Sequence, residues 1–131
     1  MENPVVELSM QLDHVSISVT DLDSSVRFYC ELLGFPQMER PDFGFPGAWI
    51  QVPGKPLHLT TGGTTRGSDA PLRANDPHFA ISVRGDLDGF LDGLRAAGVP
   101  VFELMNSPAA LRQTFVLDPD GNVIEFIQYQ L

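Results

Sequence analysis

The chain has 131 residues, 43% of them apolar, and a formal net charge of −9. That is length enough for one domain with a real core, and no apolar run is long enough to span a membrane. The acidity argues against nucleic acid or an anionic membrane surface as partner.

No basic segment followed by an apolar one opens the chain, so no signal peptide is expected. Cys30 is the single cysteine, which rules out an internal disulfide and fits a reducing cytoplasm.

Residues 1–11 read as a lead-in. From Leu12 to Thr20 the sequence alternates strictly. Val15, Ile17 and Val19 face one way, and His14, Ser16, Ser18 and Thr20 the other, which predicts a strand over roughly 13–20. Thr20-Asp21-Leu22-Asp23 offers N-cap residues for a helix over 24–33. Leu22, Val26, Tyr29 and Leu33 form its inward stripe, and Gly34 suits a left-handed cap. Cys30 within this helix reads as a plain buried thiol. A weaker strand over 35–42 is interrupted by Pro36 and Pro41, and 43–47 reads as a loop. Strands over 48–52 and 57–61 are joined by Pro53-Gly54-Lys55-Pro56. With Gly54-Lys55 as the turn pair, Gln51 lies opposite His58 and Trp49 opposite Thr60, and all four share one face.

Gly62 to Asn75 is rich in Gly, Thr and Ser and reads as a linker. The next strand, over 78–83, again alternates, with Phe79, Ile81 and Val83 against His78, Ala80 and Ser82. Asp86 caps a helix whose stripe is Leu87, Phe90, Leu91 and Leu94, ended by Gly98. Strands follow over 99–104, 111–117 and 122–129. Asp118-Pro119-Asp120-Gly121 joins the last two as a three-residue hairpin loop, which places Leu117 opposite Val123 and Phe115 opposite Glu125.

The two halves are copies. Each reads strand, capped helix, then three strands, and the first-strand histidines lie 64 residues apart (78 − 14). Leu32-Leu33-Gly34-Phe35 aligns with Ala96-Ala97-Gly98-Val99 at the same offset. The expectation is an α+β domain over 1–131, with βαβββ modules at 12–62 and 76–131 and a linker at 63–75.

The chain has three histidines. His14 and His78 occupy matching places on the first strand of each half. His58 lies on the last strand of the first half, and the matching strand of the second half carries Glu125 among apolar residues. Three imidazoles and a carboxylate are donors for a borderline divalent metal. The period-two rule puts each on the face opposite its apolar neighbours, though it cannot say that the four meet.

These residues carry a resemblance. The run from Leu12 to Leu22, Phe28-Tyr29, Leu32-Leu33-Gly34-Phe35, Pro77-His78-Phe79-Ala80 and the stretch from Leu117 to Phe126 together resemble the vicinal oxygen chelate superfamily. That group includes glyoxalase I, fosfomycin-resistance thiol transferases, extradiol dioxygenases and bleomycin-binding proteins. The resemblance covers nearly the whole chain. It implies paired βαβββ modules curling into a cupped mixed sheet with one divalent ion, Zn, Ni, Co, Mn or Fe, on its floor. The family's metal-binding positions fall on His14, His78 and Glu125, and a fourth, often glutamate, falls on His58. A homodimer is implied too, with each site built within one chain or across two.

Four activities are compatible. The leading one is a glyoxalase-like lyase or isomerase acting on a small molecule bound through vicinal oxygens, with Glu125 as both metal ligand and catalytic base. An extradiol dioxygenase would use His14, His78 and Glu125, but with His58 filling a fourth position, which also crowds oxygen, no histidine is left over for its acid–base work. Thiol transfer to an epoxide needs a cationic, hydroxyl-rich cluster; Arg112 is expected to face away from the cup. A metal-free sequestering protein would not need the four donors. Trp49, Gln51, Gln113 and Phe115 are the candidate substrate-binding residues, with Phe43, Phe45 and Pro46 as a rim.

Overall fold

The computed structural model describes residues 7–130, so the lead-in expectation for 1–6 lies outside the described residues. Among the described residues eight strands form two four-stranded mixed sheets, one in each half of the chain. The first holds β1 (Val15–Val19), β2 (Gln37–Met38), β3 (Gly47–Ile50) and β4 (Leu57–Thr61) in the order β1-β4-β3-β2. The second holds β5 (His78–Ser82), β6 (Val101–Leu104), β7 (Arg112–Leu117) and β8 (Val123–Gln128) in the order β5-β8-β7-β6. In each sheet the first strand pairs parallel with the last, and the remaining pairs are antiparallel.

Both expected helices form, and both start where a carboxylate can accept an orphan backbone N–H. Asp21 accepts from Ser24 N at 3.2 Å ahead of α1 (Leu22–Val26), and Asp86 accepts from Gly89 N at 2.9 Å ahead of α2 (Leu87–Ala96). Helix α2 ends in a Schellman motif: Gly98 sits at φ +83°, its N–H donates to Arg95 O at 3.0 Å, and Val99 N donates to Leu94 O at 3.0 Å.

The first helix departs from expectation. After Val26 it widens into a π-type turn over Arg27–Leu32, where Leu33 N reaches back five residues to Phe28 O at 2.9 Å. The wider turn lets neighbouring Phe28 and Tyr29 both go inside, packed edge to face with ring centroids 5.0 Å apart. A regular α-helical stripe would have kept only Tyr29.

The main core lies on the helix side of the sheets. Tyr29, Ile50, Leu57, Leu59, Leu87, Leu91, Leu94, Val116, Ile124 and Phe126 are all nearly inaccessible there. Each large apolar side chain so buried contributes roughly 1.5–3 kcal/mol. Among the described residues no helix is long and apolar enough to cross a membrane.

The hairpin register agrees with expectation in one half and corrects it in the other. Leu117 pairs with Val123 and Phe115 with Glu125, as the three-residue loop requires; Gly121 sits at φ +80°. In the first half, however, Trp49 pairs with His58 and Gly47 with Thr60. Gln51 lies past the end of β3, opposite no residue of β4. The connection between Ile50 and Leu57 is too long to fix a register by turn geometry. A slip of two residues preserves the face, so Trp49 and His58 still point the same way.

The stretch read as a linker carries no helix or strand but is docked. Gly67 N donates to Asp120 O at 2.9 Å, and Arg66 donates to Gly121 O at 2.7 Å and to Asp76 at 2.9 Å. Leu72 and Ala74 pack on Phe115, Leu117 and Val123.

Candidate functional site

The two sheets match donor for donor in their strand registers. His58 on β4 lies between Ser16 of β1 and Trp49 of β3, while Glu125 on β8 lies between Ala80 of β5 and Phe115 of β7. His14 and His78 each stand two residues ahead of the first-strand partner, on the same face. Each half therefore presents one donor pair on its side opposite the core.

In the first half the pair is a stack. The His14 and His58 rings lie 4.0 Å apart at 16°, and Trp49 lies 4.3 Å from His58 at 6°. Phe43 continues the column 6.1 Å from Trp49, and Phe45 follows it at 5.7 Å. Burial lowers the His58 pKa, and neighbouring His14 and Arg40 add to the effect while Asp13 opposes it. The neutral, lone-pair-bearing imidazole is the form that ligates a metal. Asp13 stands 3.7 Å from His14 Nδ1 in solvent, where such a pair contributes little.

In the second half the pair is a close contact. His78 Nε2 lies 3.0 Å from Glu125 Oε1. His78 Nδ1 lies 2.7 Å from the carbonyl oxygen of Asp76. A carbonyl can only accept, so Nδ1 carries the proton, and in the neutral ring Nε2 keeps a lone pair. Two electron-rich atoms then face each other at 3.0 Å, which requires a proton or a cation between them. Glu125 is only 5% exposed, and its other oxygen accepts from Gln113 Nε2 at 3.0 Å. An imidazole oriented through a carbonyl and a carboxylate oriented through an amide are how metal ligands are held. The donor chemistry therefore fits a divalent ion.

The structure brings the four candidate donors together two and two. Among the described residues no three His, Cys, Asp or Glu side chains in one chain are placed to hold a metal. The alternation rule gave the faces but could not give the distance between the pairs.

The other candidates divide. Trp49 and Gln113 lie beside the donors, and Gln113 Oε1 is buried with no hydrogen-bond partner among the described residues. Phe115 is 2% exposed and meets His78 edge-on at 5.4 Å, so within the chain it supports the imidazole and offers no open wall. Arg112 faces the helix side as expected, bonded to Asp88 at 2.7 Å and to Glu103. Phe43 and Phe45 are half exposed at the rim, with Arg40 over both rings at 4.8 and 5.2 Å. Arg40 and the Asp76 carbonyl were not singled out from sequence. Arg40 sits in an irregular loop, and the carbonyl has no side-chain signal. A cleft of about 920 Å³ lies on the apolar side, lined among others by Phe35, Phe79, Ile81 and Phe126 and by none of the four donors.

Comparison with known proteins agrees with this architecture. Residues 11–126 match the model of the Glyoxalase/Bleomycin resistance protein/Dioxygenase superfamily. A Synechocystis protein named "Probable lactoylglutathione lyase" is 31% identical, over 91% of this chain and 95% of its own. The glutathione transferase FosA of Serratia marcescens is 30% identical, over 87% and 77%. Among solved structures, a point mutant of the fosfomycin resistance protein FosX from Listeria monocytogenes, complexed with Mn(II) and 1S,2S-dihydroxypropylphosphonic acid, is 18% identical. It aligns with TM-score 0.74 over 95% of this chain and 94% of that one. With its family match spanning nearly the whole length and its two mixed sheets in matching register, the chain belongs to the Glyoxalase/Bleomycin resistance protein/Dioxygenase superfamily.

Proposed function

We propose that the chain is a divalent-metal-dependent enzyme of the glyoxalase type. It acts as a lyase or isomerase on a small cytoplasmic substrate that presents two adjacent oxygens. It works as a homodimer, with His14 and His58 of one copy and His78 and Glu125 of the other around each ion.

The carrying observation is the 3.0 Å contact between His78 Nε2 and Glu125 Oε1, with Nδ1 already committed to Asp76. Two ligand atoms aimed at one point make half of a coordination sphere. The stacked His14–His58 pair supplies a second half that its own chain leaves apart from the first. Apolar Phe102 and Leu104 share the face of Phe115 and Gln113 and are 41% and 38% exposed, which suits a covering surface. The lyase name of the Synechocystis relative and the Mn(II) in the FosX complex point the same way.

When bound, a divalent cation supplies Lewis-acid stabilisation of negative charge on the substrate oxygens. Glu125 supplies the base: Gln113 holds its Oε2, so Oε1, the oxygen beside His78 Nε2, is the one that takes and returns a proton. Trp49 and Gln51 border the substrate, with Gln113 behind Glu125.

The test is elemental analysis of purified protein, with turnover measured on a hemithioacetal. One ion per chain is expected, lost in His14→Ala, His58→Ala, His78→Ala and Glu125→Ala. Undiminished metal in these variants overturns the reading. Oxygen uptake with a catechol after anaerobic loading with ferrous iron replaces it with ring cleavage.

A further inference from the structure

Gly47 opens β3, and its backbone does not need a glycine: its φ lies outside the left-handed region. What requires the absent side chain is Arg40. A Cβ at position 47 would lie 2.8 Å from Arg40 Cζ and Nη2 and 2.9 Å from Nε. The guanidinium thus occupies the space a side chain would fill. Residues two apart on a strand share a face, so that space lies on the face of Trp49, whose ring meets His58.

Arg40 is held there by more than the slot. Its Cζ stands over the Phe43 and Phe45 rings, and Nη1 donates to Phe45 O at 3.2 Å. Among the described residues, Nε and Nη2 make no hydrogen bond, and no carboxylate comes within ion-pair distance, although Glu39 and Asp42 are near in sequence. A cation in an acidic protein is here seated on aromatic rings with its Nε–Nη2 edge unused. That edge matches a carboxylate, and the cradle has already fixed the side chain.

We infer that Arg40 is the anion-recognising residue of this site, and that its substrates are small carboxylates with a flat apolar body laid along the Phe43–Trp49 wall. The substrate assignment rests on the proposed function, but the binding geometry does not.

The chain has one tryptophan, Trp49, so its fluorescence reports on this wall alone. Phenylacetate and its neutral isostere phenylacetamide are titrated into chelator-treated protein, where a carboxylate cannot bind through an ion, with calorimetry in parallel. Phenylacetate is expected to bind about tenfold tighter than the amide, the size a charge-assisted pair of bonds supplies. Arg40→Gln abolishes the preference and Arg40→Lys retains part of it. Gly47→Ala weakens the acid alone, because it displaces only the end of a flexible side chain. Melting temperature and circular dichroism check that each variant folds. Equal affinity for acid and amide, no saturable signal from either, or an undiminished preference in Arg40→Gln overturns the inference. Metal content measured on each preparation before chelation separates the two readings, since the acid preference can hold where ion binding fails, and the reverse.

Discussion

The Tyr29 hydroxyl donates to Asp118 Oδ2 at 2.7 Å, joining the π-type turn of the first helix to the hairpin of the last two strands. Asp118 also accepts from Asp120 N, Asn122 N and Asn122 Nδ2 at 2.8–2.9 Å. Burial pushes the Tyr29 phenol well above its usual value, and Asp118 reinforces it. Burial likewise raises Asp118, against the hydrogen bonds from Asn122, Tyr29 and the backbone.

Tyr29→Phe should therefore lose about 1–3 kcal/mol at neutral pH, since a buried carboxylate is left one donor short. Because the folded state holds the phenol protonated, its contribution is complete below the unfolded value of about 10 and declines as pH rises past it. The stability gap between wild type and Tyr29→Phe should narrow across that range. Urea unfolding at neutral and alkaline pH measures both effects.

The proposed splitting of the donors between copies would give a stoichiometric signature. A dimer of one His14→Ala and one Glu125→Ala subunit has one site with both defects and one intact. Random re-association of equal amounts should restore about a quarter of the wild-type metal and turnover, since half the dimers are mixed and half their sites are whole. A site built within one chain would restore nothing. Metal content after co-refolding decides between them.

Gln113→Leu removes the donor on Glu125 Oε2 and frees the carboxylate to rotate. Metal affinity should fall by about 10–100-fold, the usual consequence of losing a ligand's supporting hydrogen bond. Competitive chelator titration reads this without reference to turnover.

Gly121 and Gly54 separate backbone strain from collision. Both have left-handed backbones, at φ +80° and +103°. A Cβ at Gly54 meets nothing within 4 Å, whereas one at Gly121 would run into the Gly67 carbonyl oxygen of the docked connection. Gly54→Ala should cost roughly 1–2 kcal/mol, and Gly121→Ala clearly more, with loss of the Arg66 and Gly67 contacts. Thermal unfolding of the pair checks the ordering.

Much of this was legible in the sequence wherever a local rule governs. Asp86 and Gly98 mark the ends of α2 because caps satisfy orphan backbone groups there. The Phe115–Glu125 register follows from a loop with Pro119 and Gly121 in fixed places. Rules of longer range were not readable. The spacing of Leu22, Val26, Tyr29 and Leu33 fits an ordinary helix, so the wider turn that buries Phe28 gave no sign. Composition made residues 63–75 a linker, yet Arg66 and Leu72 find partners that only the folded hairpin supplies. His14, His58, His78 and Glu125 could be assigned faces from period two, while their division into pairs depends on how the sheets sit.

On the proposed arrangement, dividing the donors two and two makes ion loading and assembly a single linked equilibrium. An ion bridging two copies stabilises the pair by mass action, so a chelator should loosen the dimer and dilution should strip the ion. Scarcity of either protein or metal would then silence the activity in the same way.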